Sequence, residues 1–274
     1  MELSEINIYP IKSLGGISLS EAIVEEKGLQ YDRRWMLVTE KGEFLTQREF
    51  SKMATLTVSL ENDGLQVVSA ENQAISIPFE PTSNDKIRVK IWASKCNAVS
   101  YDETINGYFS DTLQTNCKLV VMPEDSLRKV SPYYAIHKFR DVVSFADGYP
   151  VLLIGEGSLK DLNAKLENPI PMNRFRPNLV IKNSEAFAED TWKKIKVGEA
   201  IFHVIKPCAR CVITTIDQTN GVSDGKEPLK TLATYRLVKR MGKSKINFGQ
   251  NLIAENAGDI IKIGDTVEIL ESKK

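Results

Sequence analysis

The stretch "ATLTVSLENDGLQVVSAENQAISIPF", residues 54–79, alternates short β-branched runs with turn residues. The segment "ENDG" at 61–64 is a turn signal, and the period of two on either side of it predicts half-buried strands. Runs of the same kind recur as "EINIY" (5–9), "WMLVTE" (35–40) and "KIRVKIW" (86–92). This spacing predicts antiparallel strands in a sandwich or barrel over the first hundred residues.

The second half of the chain continues the β pattern. A polar, turn-rich stretch from Pro123 to Asp141 is the best internal boundary, and helical βαβ alternation finds little support. The expected fold class is therefore mainly β with short helices, in two mostly-β domains. Beyond the boundary the predicted strands are "PVLLI" (150–154), "NLVIK" (178–182), "AIFHVI" (200–205), "VITTI" (212–216), "NLIAE" (251–255) and "DTVEILE" (265–271).

Three helices are predicted. One follows Asp102, one begins at Ser158 as its N-cap, and one covers "EPLKTLATYRLV" (227–238) with Pro228 near its first turn. Apolar residues recur at helical spacing in the first two. They are Ile105, Tyr108, Phe109 and Leu113 in the first, and Leu159, Leu162 and Leu166 in the second.

The composition is that of an ordinary soluble globular protein. The 274 residues include 36 Lys or Arg and 36 Asp or Glu, and this balance disfavours a general nucleic-acid or membrane-surface binder. The sequence shows no apolar segment of spanning length and no basic-then-apolar leader, so the expected location is cytoplasmic and no membrane partner is expected. Four scattered cysteines are too few for a disulfide scaffold, and reduced thiols are the expectation.

The motif "KPCARCVITTID" (206–217) places two cysteines three residues apart, and four interpretations compete. A structural zinc site would need a second ligand pair, whereas the two histidines of the chain are unpaired. Thioredoxin-like exchange would need the pair at the start of a helix, but "VITTI" is predicted to be a strand. Cysteine nucleophilic catalysis would need a histidine base. The fourth interpretation is a pair of inert, buried thiols.

The residues around the pair favour a thiolate. Lys206 and Arg210 flank it and make the loop electropositive, which suits metal ligation or nucleophilic attack. Soft thiolate ligands select zinc, copper(I), iron–sulfur or a high-valent metal that has other sulfur ligands. One protein thiolate cannot hold such a metal alone, so a cofactor would have to complete the coordination.

Three other stretches combine cations with turn residues in a way that suits anion binding. Arginine forks and backbone amides are the groups that phosphate recognition uses. None of the three matches a P-loop or a GxGxxG motif, so nucleotide hydrolysis and a Rossmann cofactor are disfavoured. The stretches are "YPIKSLGG" with Lys12 and Ser13, "YDRRWMLV" with Arg33 and Arg34, and "NRFRPNLVI" with Arg174, Arg176 and Asn178.

Seven segments, taken in order, resemble the two-domain MOSC family. This family comprises the mitochondrial amidoxime-reducing component and bacterial relatives that reduce N-hydroxylated bases. The similar segments run from the first strand to the last, so the resemblance covers nearly the whole chain. They are "YPIKSLGG", "DRRWMLV", "FADGYPVLLIGEGSLKDLN", "FRPNLVI", "KPCARCVITTID", "EPLKTLATYR" and "INFGQNLIAENAGDIIKIGDTVEIL".

The resemblance implies an N-terminal β-rich MOSC domain over residues 1–120, packed on a MOSC β-barrel domain over residues 121–274. It also implies a molybdenum cofactor between them, with Cys211 as the protein ligand of the metal and as the catalytic residue. Cys208 is assigned a supporting role. The cofactor contacts that carry over from the family are Lys12, Ser13, Arg33, Arg176, Asn178 and Arg210.

The chain departs from the family pattern at three positions. Ala209 stands where relatives often have serine, so no hydroxyl contact is expected there. Gly148 and Tyr149 replace small hydroxyl residues of the mitochondrial form but agree with the bacterial form, so any contacts at these positions are expected from the backbone. The acidic segment "SEAFAEDTW" offers Glu185, Glu189 and Asp190, which would either relay protons or form a solvated loop.

The function implied by the resemblance is molybdenum-dependent reduction of N–O bonds in small N-hydroxylated substrates. The chain ends soon after "DTVEILESKK". Electrons are therefore expected from a separate reductase or ferredoxin-type protein. The alternative is a carrier that binds molybdenum cofactor or sulfane sulfur without turnover of its own, as MOSC domains attached to cofactor sulfurases suggest.

Overall fold

A computed structural model describes residues 1–81, 83–138, 140–223, 225–240 and 242–273. Over these residues the chain is mainly β, which confirms the expected fold class. The strands are β1 (Glu2–Ile8), β2 (Ile17–Leu19), β3 (Glu21–Glu25), β4 (Gly28–Leu29), β5 (Trp35–Val38), β6 (Thr57–Glu61), β7 (Gly64–Val68), β8 (Ala74–Pro78), β9 (Lys86–Ile91), β10 (Ser94–Ser100), β11 (Lys118–Val121), β12 (Val151–Gly155), β13 (Leu179–Lys182), β14 (Trp192–Val197), β15 (Ala200–Ala209), β16 (Leu237–Arg240), β17 (Lys243–Ala254), β18 (Ile260–Lys262) and β19 (Val267–Ser272).

The helices are short. Within the described part of the chain, no helix is both long and apolar enough to cross a bilayer. The α-helices are α1 (Glu103–Leu113), α2 (Glu156–Asn163) and α3 (Leu229–Tyr235). Single 3₁₀ turns cover Ser51–Thr55, Met172–Phe175, Ala188–Asp190 and Val212–Thr215.

The stretch 54–79 forms a three-stranded antiparallel sheet, as its alternation predicts. β6 pairs with β7 and β7 with β8, with Leu60 opposite Leu65 and Leu65 opposite Ile77. The inward side chains of this sheet pack with Phe109 of α1 in one apolar core. A second sheet in the order β5-β11-β10-β9 lies in the same half of the chain. The N-terminal half therefore buries its own core around α1.

The largest sheet has the order β19-β14-β15-β17-β12-β13-β1-β2, with β16 paired to β17 beside it. Its core contains Trp192 and Phe202, both fully buried. β1 comes from the first residues of the chain but pairs antiparallel with β13, and β18 pairs with β3. Strand pairing therefore crosses the division at residue 120, and that division stays a prediction.

The segment "VITTI" is not a strand, and this prediction is wrong. Val212–Thr215 forms a 3₁₀ turn that follows Cys211. The Thr214 hydroxyl donates to the Cys211 carbonyl at 2.9 Å, and the Thr215 hydroxyl donates to the Val212 carbonyl at 2.8 Å. These hydroxyls stabilise a turn against the β propensity of the sequence.

The N-cap predicted at Ser158 is also wrong, because α2 begins at Glu156 and ends at Asn163, before Leu166. Ser158 lies inside the helix and donates from its hydroxyl to Glu189 Oε1 at 2.7 Å. The same oxygen accepts from the Gly155 amide at 3.2 Å. A fully buried carboxylate from a distant 3₁₀ turn thus satisfies the N-terminus of α2 in place of a local cap.

Burial raises the pKa of Glu189, although Ser158 and the backbone amides partly oppose the shift. At a pH above the ordinary glutamate pKa, the unfolded chain gives up this proton more readily than the folded chain, so stability decreases as pH rises through that window. Glu189→Gln keeps an acceptor oxygen and cannot ionise. In urea titrations, we expect the free energy of unfolding of Glu189→Gln to increase relative to that of the unmodified protein as the pH rises from about 5 to about 8.

The matched control for this prediction is Glu185→Gln, an exposed carboxylate on the same segment. It should leave the free energy of unfolding nearly unchanged at both ends of this pH range, because surface substitutions have small effects. The prediction is contradicted if the free energy of unfolding changes with pH by the same amount in the unmodified protein and in Glu189→Gln.

Candidate functional site

An open cleft with about 810 Å³ of empty space is lined by Cys211 and by all six cofactor contacts that the resemblance implies, but not by Arg34 or Arg174. Five cationic side chains and one carboxylate line it, so the cleft suits an anionic ligand. The lining residues are Lys12, Ser13, Arg33, Thr46, Arg48, Ala146, Asp147, Gly148, Tyr149, Leu152, Phe175, Arg176, Asn178, Cys208, Ala209, Arg210, Cys211, Ile213, Thr214 and Asn251.

Lys12 and Asp147 form an ion pair across the cleft. The Lys12 Nζ atom lies 2.6 Å from Asp147 Oδ1. Burial lowers the pKa of Lys12 despite its carboxylate partner. Desolvation would raise the pKa of Asp147, but Lys12 and Arg48 outweigh it and hold that pKa well below its ordinary value. Asp147 is therefore a permanent anion at neutral pH.

A buried arginine holds the loop that carries Asp147. Arg128 Nη2 donates to the Asp147 carbonyl at 2.8 Å, and its Nη1 donates to the Ser144 carbonyl at 2.8 Å. Its Nε donates to the Ser94 hydroxyl of β10 at 2.9 Å. The stretch 123–141 thus supplies an anchor for the cleft and is more than a connection between the two halves.

Two of the predicted arginines contact the ring of Tyr9. The guanidinium carbons of Arg33 and Arg176 lie 4.6 Å and 4.2 Å from the centre of its ring. Burial raises the pKa of Tyr9 to about 12, and burial lowers the pKa of Arg176 to about 10. Asp32 outweighs the effect of burial on Arg33, so the pKa of Arg33 is raised. Both arginines are charged at neutral pH and are held by cation–π contacts.

Three of the predicted contact residues have left-handed backbones without being glycine. The φ angles are 71° at Ser13, 52° at Arg33 and 53° at Arg176. In Arg176 this conformation ends the 3₁₀ turn Met172–Phe175. Such strained conformations persist where the surrounding structure imposes them, and they concentrate at functional sites. The backbone thus supports the grouping that the sequence motifs indicate.

Asn178 connects the cleft to the large sheet. Its Oδ1 accepts from Arg33 Nη1 at 3.1 Å and from the Leu152 amide at 3.1 Å. Its Nδ2 donates to the Asn7 carbonyl at 3.0 Å. These three bonds mean that Asn178 orients Arg33 and joins β1 to β12.

The two cysteines of the motif have different partners. Cys211 Sγ accepts a hydrogen bond from Arg48 Nη2 at 3.2 Å, whereas Cys208 Sγ accepts from Arg210 Nη1 at 3.0 Å. Both thiols are free and partly exposed. Arg210 also donates to the Phe175 carbonyl at 2.6 Å. The pair is therefore divided between two arginines, one from each half of the chain.

Sequence reasoning missed Arg48 and Asp147. The Arg48 guanidinium lies 4.8 Å from the ring centre of Trp92 and 3.8 Å from Asp147 Oδ2. The signal that could have found Asp147 is its place in the similar segment "FADGYP", whereas "TQREF" around Arg48 carries no motif. Lys206, which the sequence favoured as a flanking cation, lies 4.6 Å from the ring centre of Tyr134 and outside the cleft lining.

The acidic segment lies away from the cleft. Glu185, Glu189 and Asp190 are all described, and none of them is among the lining residues. Asp190 Oδ2 accepts from Arg236 Nη2 at 2.6 Å, and Glu189 Oε1 accepts from the Ser158 hydroxyl of α2. The proposed proton relay therefore finds no support in the geometry.

The donor set can be tested against a metal cofactor. Over the described residues, no three His, Cys, Asp or Glu side chains lie close enough to hold a metal ion. A metal at Cys211 would need most of its ligands from a cofactor. The buried Arg210 Nε has no partner within the described part of the chain, and the surrounding cations favour an anion. The residues present therefore fit an anionic, sulfur-bearing metal cofactor.

Two known domain families match most of this chain. The MOSC N-terminal beta barrel domain matches residues 1–116, and the MOSC domain matches residues 140–268. Mitochondrial amidoxime-reducing component 1 of Mus musculus is 33% identical over 98% of this chain and 82% of its own length. Mitochondrial amidoxime reducing component 2 of Rattus norvegicus is 33% identical over 97% and 82%.

A molybdenum cofactor sulfurase of Oryza sativa subsp. japonica is also 33% identical, over 91% of this chain but 32% of its own length. The two amidoxime-reducing components above, in contrast, match along 82% of their own length. Both domain matches and the order of the motifs confirm the resemblance found in the sequence. The chain therefore belongs to the two-domain MOSC family, together with the mitochondrial amidoxime-reducing components.

Proposed function

We propose that this protein binds molybdenum cofactor in the cationic cleft and reduces N–O bonds of small N-hydroxylated substrates with electrons from a separate reductase. The observation that carries the proposal is the Cys211 thiol, which faces the cleft and accepts from Arg48 at 3.2 Å. Names of relatives along nearly the whole chain support the reaction class. A cytoplasmic location is part of the same proposal.

Each group of residues has a task in this proposal. Cys211 would be the protein ligand of the metal, and the Arg48 guanidinium, which donates to its sulfur, would orient it. Lys12, Ser13, Arg33, Arg176 and Arg210 would hold the anionic part of the cofactor, with Asn178 orienting Arg33. The bound cofactor would supply the two-electron chemistry at the N–O bond. The cationic side chains would bind and orient the cofactor, and Phe175 and Tyr149 would exclude water from the wall of the cleft.

The overall reaction balances with an external donor. The N–O bond breaks, two electrons and two protons enter, and the products are the N–H compound and water. The reductase loses the two electrons. Asp147 stays ionised beside Lys12, so its carboxylate accepts hydrogen bonds from substrate N–H groups and does not act as an acid at neutral pH.

The test uses protein produced in a host that makes molybdenum cofactor. We expect about one molybdenum per chain by metal analysis. Reduced methyl viologen should drive conversion of an amidoxime to the amidine, which chromatography detects. Loaded protein that never turns over amidoximes or other hydroxylamines would instead favour the carrier function. Protein without molybdenum from this host would contradict the reductase function and would favour a carrier of sulfane sulfur.

A further inference from the structure

The stretch 228–254 carries only positive charges in a chain that is neutral overall. Between Glu227 and Glu255 the sequence contains six Lys or Arg residues and no Asp or Glu. Four of the six fall within residues 239–245. This concentration stands out because acidic and basic residues are equal in number over the whole chain.

Four of the six basic residues lie on a two-stranded ribbon, residues 237–240 and 243–246, which we call the basic hairpin. β16 pairs antiparallel with the first part of β17 at the side of the large sheet. The side chains described from 237 to 245 are exposed, and Val238 is 49% exposed. Val238 lies opposite Lys245, and Lys243 shares the same face by strand alternation. One face therefore presents an apolar side chain beside two lysines.

The lysines of the basic hairpin are not neutralised by the protein. Among the described residues, Lys239, Lys243 and Lys245 form no ion pair. Other surface lysines do, such as Lys52 with Glu71 at 2.9 Å and Lys193 with Glu271 at 2.6 Å. The hairpin is thus a local source of positive potential that an acidic surface can complement.

The base of the hairpin is bonded directly to the cysteine loop. The Arg210 amide donates to the Ile246 carbonyl at 2.8 Å, and Ala209 of β15 lies opposite Asn247. Ile246 in turn lies opposite Leu237. At a rise of about 3.3 Å per residue, Lys243 lies within about 10 Å of Ile246 along the strand. An acidic protein bound at the hairpin would therefore sit beside the loop that carries Cys211.

We propose that the basic hairpin is the docking surface for an acidic electron-donor protein. This inference rests on the proposed function, which requires an external donor. Electron-transfer encounters bury little area and depend on charge steering, which a short basic ribbon with an exposed apolar residue can supply. A nucleic acid is the less favoured occupant, because the chain is neutral and the hairpin adjoins the candidate redox site.

The experiment compares two donors on the molybdenum-loaded protein. The protein donor is a reduced plant-type ferredoxin, an acidic one-electron carrier, and two of them are oxidised per N–O bond cleaved. The small donor is reduced methyl viologen. For Lys243→Glu/Lys245→Glu, we expect ferredoxin-driven turnover at low ionic strength to fall about 10-fold or more. Turnover with viologen and the molybdenum content should stay unchanged.

The matched control is Lys41→Glu/Lys160→Glu, which makes the same charge change at two exposed lysines elsewhere. It should retain ferredoxin-driven turnover. The deficit of the hairpin variant should also shrink at high salt, because screening removes steering. Val238→Ser should weaken ferredoxin binding without changing its salt dependence, which separates the apolar contact from the charges.

Three results would overturn the proposal: equal losses in the hairpin and control variants, no transfer from ferredoxin to the unmodified protein, or loss of oligonucleotide binding in the hairpin variant with transfer intact. Failure of the proposed function looks different. In that case the unmodified protein does not reduce the substrate even with viologen.

Discussion

Replacing Cys211 with alanine should abolish N–O reduction, whereas Cys208→Ala should retain it. With reduced methyl viologen as the donor, we expect turnover by Cys211→Ala to fall at least about 1,000-fold. The physical reason is the difference between the two thiols. Both thiols line the cleft, but Cys211 Sγ accepts from Arg48 of the N-terminal half, while Cys208 Sγ accepts from Arg210, two residues away.

Metal content provides the second measurement for the cysteine variants. Loss of an outer-shell partner typically costs 10- to 100-fold in metal affinity, and loss of the ligand should cost more. Molybdenum per chain should therefore decrease in Cys211→Ala and stay close to the unmodified level in Cys208→Ala. Pterin released on denaturation should decrease less than molybdenum, because Lys12, Arg33 and Arg176 remain to bind the anionic part.

The two cysteines act as matched controls for each other, since they lie three residues apart and carry the same substitution. Equal losses in both variants would contradict the choice of Cys211 as ligand. Full turnover in Cys211→Ala would contradict any role of a protein thiolate. If Cys211→Ala loses activity but retains its molybdenum, Cys211 acts in the reaction but is not needed to hold the metal.

The parts of the fold that the sequence predicts well are those decided by local contacts. Helix α1 follows Asp102, whose carboxylate accepts from the Ile105 amide at 3.0 Å, as an N-cap should. The three-stranded sheet β6–β8 follows from alternation and tight turns between neighbours in the chain. Such patterns determine the structure without reference to the rest of the molecule.

Other features depend on partners far away in the sequence. The alternation of β1 predicts a strand but cannot indicate that β13 is its partner. α2 begins early because the Glu189 carboxylate satisfies its N-terminus from 31 residues beyond Ser158. The "VITTI" run has β propensity, yet threonine hydroxyls close it into a 3₁₀ turn. Distant contacts decide the first two features, whereas in the "VITTI" run local hydrogen bonds to carbonyls three residues back override the β propensity.

The candidate site shows the same division. The cationic motifs could be found because each joins a strand to turn residues, and the structure brings all of them into one cleft. Arg48 could not be found, because it contacts Cys211 across 163 residues of sequence and its own segment has no recognisable pattern. Only the packing of the two halves places that guanidinium at the thiol.

Asn178→Ala should destabilise the protein by about 3 kcal/mol, even without any cofactor. The substitution removes three hydrogen bonds from a side chain that is 1% exposed. It leaves the Leu152 amide and the Asn7 carbonyl without side-chain partners in a buried place, and each such loss costs about 1–3 kcal/mol. Urea unfolding of cofactor-free protein measures the effect without the stabilisation that a bound ligand adds.

Asn251→Ala is the matched control, because Asn251 lines the same cleft but its side chain donates one hydrogen bond, to the Lys206 carbonyl at 3.3 Å. It should cost about 1 kcal/mol or less. If cofactor-free Asn178→Ala is as stable as the unmodified protein but binds less pterin, Asn178 contacts the cofactor directly. If stability and pterin content both fall, Asn178 acts by orienting Arg33, because the amide that holds that guanidinium is part of the connection between β1 and β12.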